Sequence, residues 1–398
     1  MRHPYRLALA ALLLTTASGL MLRLYPYWAP DGFHFRNWIH AHSHIALLGW
    51  AWMGIYVLGI RRFLSESPDV VRALPYMNSG LFISIAGMAL TFPVTGYAAA
   101  SIFFSSLHMA MGVWFSVLVF RHGNHSAPGF RFFKIALLFM ILSGFGPLAL
   151  GPLAALDLRN TAWYRFCIYF YLHFQHHGWL TFGLIALSAV PNAARVRPSE
   201  DMILMALALS TVLTLALSGL EFGLPAAVPI TGGVAAAIQL GIFAYLGSGL
   251  LKNGIAARGW PKLLILLAAT ALLLKTLLLA GLMYPGFARL AYQSRDLVVA
   301  YLHLSLLGFV SLGILAAFLQ KGWLSGRGFL PGIGLILFIT AFLLQEAFLS
   351  ARGLRLPIGN VLLLSGNTLL LLSAAGMTAG LALVVLPNFR ITRFNNGL

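Results

Sequence analysis

The chain has 398 residues, is 60% hydrophobic and only 9% charged, and carries a formal net charge of +17. A soluble domain has roughly 25% charged residues, so this balance excludes an ordinary soluble globular protein. The positive charge is spread between apolar runs rather than gathered in one patch, which argues against a nucleic-acid surface.

Taken in chain order, the apolar runs predict twelve membrane spans: 6–25, 40–60, 75–95, 101–120, 132–153, 163–190, 202–221, 229–251, 262–283, 297–319, 330–349 and 360–386. Each is near the ~20 residues a helix needs to cross a bilayer. The reading is one all-α, polytopic membrane domain over residues 1–398, with no soluble appendage. Span 1 has a basic start but no convincing cleavage site after it, so it reads as a retained helix rather than a signal peptide. Counting Lys and Arg on alternate sides of the spans puts 17 on the side of both termini and 8 on the other. The positive-inside bias then makes both termini cytoplasmic, and the excess charge can also meet anionic lipid. The single Cys167 excludes an internal disulfide and any cysteine-rich zinc or iron–sulfur centre.

Three phrases repeat. Span 2 contains "HSHIALLGW" at 42–50, span 6 "YLHFQHHGW" at 171–179, and span 10 "YLHLSLLGF" at 301–309. Aligned on His44, His173 and His303, which are 129 and 130 residues apart, Gly49, Gly178 and Gly308 fall in step. So do Trp50, Trp179 and Phe309. The period is four spans, repeated three times, which predicts a pseudo-threefold arrangement of four-helix units.

Even-numbered spans start at the outer face. His40, His42, His44, His108, His173, His176, His177 and His303 all lie in the first half of an even span, and so in the outer half of the membrane. His3, His34, His122 and His125 lie in loops or at ends. A polar side chain in the hydrocarbon layer is costly and is a functional candidate by default. A lone one is as often a helix–helix hydrogen bond, the reading that competes for His108. Eight in one layer point to metal, because buried neutral imidazole binds iron, copper or zinc well. With no inward carboxylate cluster, histidine-only ligation suits haem iron first and copper second. At about 100° per residue, His173, His176 and His177 share an arc and could share one metal. His40 and His44 share a face, and His42 points about 160° from His44. The repeated glycine is expected to admit a neighbouring helix or a flat porphyrin. Lys275, thirteen residues into span 9, should line a proton or water path or bond a carbonyl; Glu221 and Glu346 should be interfacial.

These residues resemble the large subunit of the haem–copper oxidase superfamily, including its nitric oxide reductase branch. Helix 10 there carries a His-x-His pair before Gly; here "RDLVVAYLHLSLLGF" keeps the second as His303. "IHAHSHIALLGW" is similar to the low-spin haem histidine region of helix 2, and His173 stands where helix 6 supplies a copper ligand. The resemblance implies twelve helices in pseudo-threefold arrangement in a bacterial inner membrane. It also implies a low-spin haem, of b type, between His303 and either His42 or His44: the internal repeat favours His44, the family spacing to Gly favours His42, and His44 is the expected ligand of the two. Copper is the second cofactor implied. Partner subunits and an electron donor, cytochrome c or quinol, are the expected partners. Helix 7 lacks the adjacent copper histidines, and Tyr301 stands at the high-spin haem ligand position. His176 and His177 are then the candidates to complete a metal site with His173. In that family, outer-loop arginines hold the haem propionates, a role that would fall to Arg352 and Arg355; two snorkelling interface arginines are the alternative. A second resemblance is to twelve-helix haem- and copper-containing proteins of nitric oxide stress response, matched by His42, His44 and Gly49.

Overall fold

The computed structural model describes residues 4–188, 197–252, 257–356 and 365–390, and its regular structure there is entirely helical. We number the long helices α1 Pro4–Leu24, α2 Phe35–Phe63, α3 Pro68–Thr95, α4 Ala99–His122 and α5 Phe130–Ala155. α6 runs unbroken over 162–187, and α7 is Arg197–Thr214 with a tighter last turn to Phe222. Then follow α8 Ala227–Lys252, α9 Trp260–Gly281, α10 Arg295–Gln320, α11 Phe329–Gly353 and α12 Gly366–Arg390. Eleven of these are long and apolar enough to cross a membrane. The exception is α6, whose middle is made polar by His173, Gln175, His176 and His177. The start expected for span 12 and the end expected for span 6 fall partly outside the described residues.

Local chemistry sets the helix starts. Ser67 accepts from Val70 N at 3.4 Å and is followed by Pro68, a residue suited to the first helical turn. Thr161 opens α6 by accepting from Tyr164 N, and Ser294 opens α10 by accepting from Leu297 N, with Asp296 in the first turn. Gly96 ends α3 at φ +61°, a conformation costly for other residues.

Neighbouring helices repeat with the period read from the sequence. α1 packs on α2, α5 on α6 and α9 on α10; α3 pairs with α4, α7 with α8 and α11 with α12. α4 meets α5, α8 meets α9, and α12 returns to α1. α2, α6 and α10 also touch one another, so the three histidine-bearing helices share the middle. One end of the bundle is tied by Tyr27 in the α1–α2 loop, 2.8 Å from Thr368 of α12. At the other end Tyr5 stacks on Trp323 after α10, and Ser325 N donates to Asn388 of α12.

One feature is repeated that the sequence reading did not foresee. Directly after His44, His173 and His303 the helix widens into a π turn, at Ile45–Trp52, Phe174–Leu180 and Leu304–Ser311. Such i→i+5 turns are rare and concentrate at functional sites. The repeated glycines lie inside them. A Cβ on Gly49 would meet Ala11 of α1 at 3.1 Å, on Gly178 Phe139 of α5 at 2.4 Å, and on Gly308 Ala271 of α9 at 3.1 Å. Each glycine therefore lets the first helix of its own unit approach, and at Gly308 Phe342 of α11 stands as close, at 3.0 Å.

α11 and α12 pack backbone against backbone. A Cβ on Gly380 would lie 2.6 Å from Phe338 N and 2.7 Å from Gly334 O, both backbone atoms that cannot step aside. With Gly376 this is a small-xxx-small seam. Gly380→Ala is expected to destabilise the protein by about 1–3 kcal/mol. Gly332→Ala, whose Cβ would meet nothing within 4 Å, should leave the thermal unfolding transition in detergent unchanged.

Candidate histidine sites

His42 and His303 are each held through Nδ1. His42 Nδ1 lies 3.0 Å from Thr15 O and 3.1 Å from Ser18 Oγ, whose own proton goes to Thr15 O at 2.9 Å. Both partners therefore accept, so Nδ1 carries the proton and Nε2 keeps its lone pair. The ring packs where a Cβ on Gly19 would sit, 3.0 Å from Cε1. His303 Nδ1 faces the Gln345 amide at 3.0 Å and Glu346 Oε1 at 3.6 Å. The Gln345 oxygen, buried without a donor when the amide nitrogen faces the ring, becomes the acceptor of Nδ1–H when the amide is turned. Neither Nε2 has a hydrogen-bond partner. His42 and His303 are neighbours, and Arg23 lies near both rings.

His44 faces the opposite way. Its Nδ1 donates to His40 O at 2.8 Å, its ring lies against Phe92 at 4.2 Å, and Tyr97 OH reaches Nε2 at 3.4 Å. His40 also packs on Tyr97. The structure therefore groups His42 with His303, and His44 with His40, Tyr97 and His108. His108 Nδ1 meets Ser84 Oγ at 3.2 Å, and its Nε2 is buried without a partner.

The helix α6 histidines do not converge as expected. His173 Nε2 meets Thr211 O of α7 at 2.8 Å, His176 Nδ1 meets Ser305 of α10 at 3.3 Å, and His177 Nε2 meets Tyr301 OH at 3.3 Å. His173 and His177 stack at 5.0 Å. Among the described residues no three His, Cys, Asp or Glu side chains are grouped to hold a metal ion. The shared arc assumed an α-helix throughout, and the π turn that begins at Phe174 breaks that arithmetic. Tyr301 thus serves as a hydrogen-bond partner of His177.

Lys275 is 1% exposed, donates to Thr181 Oγ1 at 3.2 Å and lies 5.3 Å from the Phe309 ring centre. It bonds a hydroxyl rather than the carbonyl expected. Arg352 is spent on a fork: Nε and Nη2 each reach an Asp296 oxygen at 2.7 Å, and Nη1 reaches Asn367 at 2.8 Å. Arg355 is exposed, at φ +58°. Glu346 lies seven residues inside the end of α11, beside His303. The Glu221 side chain lies outside the described residues. Sequence reasoning missed Arg23 and Arg295, which stand with Arg352 and Asp296 in one charged group at the end of the bundle nearest His42 and His303. Only their shared place at the same ends of spans 1 and 10 could have signalled it.

Comparison of the sequence with family models and with curated proteins found no match in either.

Lys275 is a buried amine without a carboxylate partner among the described residues. Lys275→Met, which keeps volume and removes the charge, is expected to cost less than about 1.5 kcal/mol or to stabilise. Lys275→Ala should lose about 2–4 kcal/mol to the cavity it leaves. Thermal unfolding of both variants in one detergent checks the contrast.

Proposed function

We propose that the chain is a membrane haem protein on a scaffold of the haem–copper oxidase type. In this reading the twelve long helices cross a bacterial plasma membrane as three four-helix units, with both termini cytoplasmic. A low-spin haem is held between His42 of α2 and His303 of α10. The observation that carries it is the matched state of those two imidazoles: each is anchored through Nδ1, and each keeps an Nε2 lone pair without a protein partner. Axial histidines are commonly oriented in this way, by a hydrogen bond from the second ring nitrogen. The residues above them also fit. Haem propionates are anionic, and Arg23, Arg295 and Arg352 outnumber the single Asp296 in the group at that end. When bound, the haem would supply one-electron exchange or coordination of a small gas.

The chain's own residues would set the axial ligands, exclude water and hold the propionates. Gln345 and the Thr15 carbonyl fix which nitrogen of each imidazole is free. The geometry favours electron transfer, or binding of nitric oxide or oxygen, over proton-pumping oxygen reduction. His173, His176 and His177 point at three different partners, and α7 offers no imidazole to replace the missing pair. The same observation supports a second reading: a non-enzymatic haem binder acting as a sensor or carrier. A cytochrome c or quinol donor and partner subunits belong to the first reading.

A reduced-minus-oxidised spectrum tests the ligand pair. His42→Ala and His303→Ala should each abolish the low-spin signal, and His44→Ala should keep it. Loss in His44→Ala with retention in His42→Ala would mean that the other face of α2 carries the ligand. With a chemical reductant in an oxygen electrode, the protein should show no sustained cyanide-sensitive turnover.

A further inference from the structure

The end of the bundle that carries both termini is the end richer in Lys and Arg. There α3 begins and α4 ends, and between them opens a pocket of about 440 Å³. Two glycines set the spacing of its walls. A Cβ on Gly80 would lie 2.6 Å from Met111 Sδ, and one on Gly87 2.2 Å from the Phe104 ring. These contacts are seven residues apart on each helix, so α3 and α4 run antiparallel at close approach and in one register. A further step of seven brings Ala73 opposite Leu118, and both line the pocket.

The pocket is rich in donors and short of acceptors. Arg121 makes no hydrogen bond, ion pair or ring contact with any described residue. Neither the Tyr76 hydroxyl nor the Trp114 indole N–H has an acceptor among the described residues. Asp69 is the one acid in the lining; Arg72 holds it at 3.1 Å, and His122 Nε2 stands 4.0 Å from the same carboxylate. The two guanidiniums therefore leave an excess of positive charge.

Depth separates a lipid from a soluble anion here. α3 has 28 residues, about 42 Å, and overhangs a hydrocarbon core of ~30 Å by ~6 Å at each end. Tyr76 and Trp114 each lie eight residues inside their helix ends, about 12 Å along the axis and so just within that core. Arg72 and Arg121 lie nearer the ends, at its boundary and outside it. Deeper in, the outward faces are apolar. Tyr76, Ile83 and Leu90 of α3 are seven residues apart and each at least 50% exposed, and Val113 and Phe103 continue the strip on α4.

We propose that this pocket binds one anionic phospholipid of the phosphatidylglycerol class. Its phosphodiester meets Arg121 and Arg72, its ester oxygens take the Tyr76 and Trp114 donors, and its acyl chains lie along the outward faces of α3 and α4. Guanidinium forks suit a phosphate monoanion, which matches the excess charge. Tyr and Trp favour this level of a bilayer because the ring is apolar and the tip polar. A zwitterionic headgroup would bring an ammonium and find Asp69 already taken. Diffuse attraction of anionic lipid would be shared by every exposed arginine at this end; the pocket concentrates it at one place. None of these residues is assigned to the haem, so the site stands or falls separately.

The test is native mass spectrometry of the full-length protein in detergent, titrated with phosphatidylglycerol or with phosphatidylethanolamine of the same chains. The wild type should retain one phosphatidylglycerol more tightly than any phosphatidylethanolamine. Arg121→Gln should weaken that binding about fivefold, the attraction of one arginine for an anionic surface. Trp114→Leu should weaken it as well. Arg327→Gln, which removes an equal charge from a loop at the same end, should leave it unchanged. Arg121 is exposed and without a protein partner, so the variant should keep the wild-type melting temperature in lipid-free detergent. Equal retention of the two lipids, equal weakening by Arg327→Gln and Arg121→Gln, full retention by Arg121→Gln, or displacement of the lipid by inorganic phosphate would each overturn the proposal.

Discussion

A neutral imidazole has two ring nitrogens and one proton, and in an apolar bundle neither nitrogen can turn to water. Whichever nitrogen donates needs an acceptor from the protein, and the other is left as a lone pair that must be met or must meet a ligand. Much of the middle of this protein follows from that constraint. Helix carbonyls and hydroxyls that are already donating elsewhere force the proton onto Nδ1 of His42, His44 and His108. Nε2 is thereby left as the chemically available atom on each. In α6 the protein instead spends the available nitrogens on Thr211, Ser305 and Tyr301, and those imidazoles become part of the packing.

The π turns belong to the same account. A π turn adds a residue to the helical circuit and shifts the register of everything beyond it. Placed directly after His44, His173 and His303, it carries the glycine that follows to the first helix of the unit. Threefold repetition of the histidine is thus threefold repetition of a join between helices. Its chemical use differs from unit to unit, because the neighbours of the imidazole differ.

Features that are linear in the chain were legible in the sequence. Apolar length marked the helices, and constant spacing marked the period of four that reappears in which helix packs on which. The separation of His42 from His44 on opposite faces also followed from periodicity, because α2 is α-helical up to His44. Where the helix departs from 3.6 residues per turn, periodicity failed, and the expected grouping of His173, His176 and His177 failed with it. Partners far apart in sequence were equally out of reach. Arg352 reads as a loop arginine until Asp296, 56 residues away, is seen to accept both arms of its guanidinium. Glu346 reads as a helix-end residue until its approach to His303, 43 positions away, is seen.

Lys275 bears on permeability. Gln239, Thr211, Thr181, Ser305 and the α6 histidines make a run of buried polar groups across α6 to α10. Such a run through an apolar bundle is the raw material of a leak for protons or metal cations. Whenever Lys275 is protonated, it places a positive charge beside that run. Cations entering from either face would meet a barrier there, much as a single arginine bars them from water pores. In a membrane that stores energy as a proton gradient, one ammonium group would let the protein keep a polar middle without short-circuiting it.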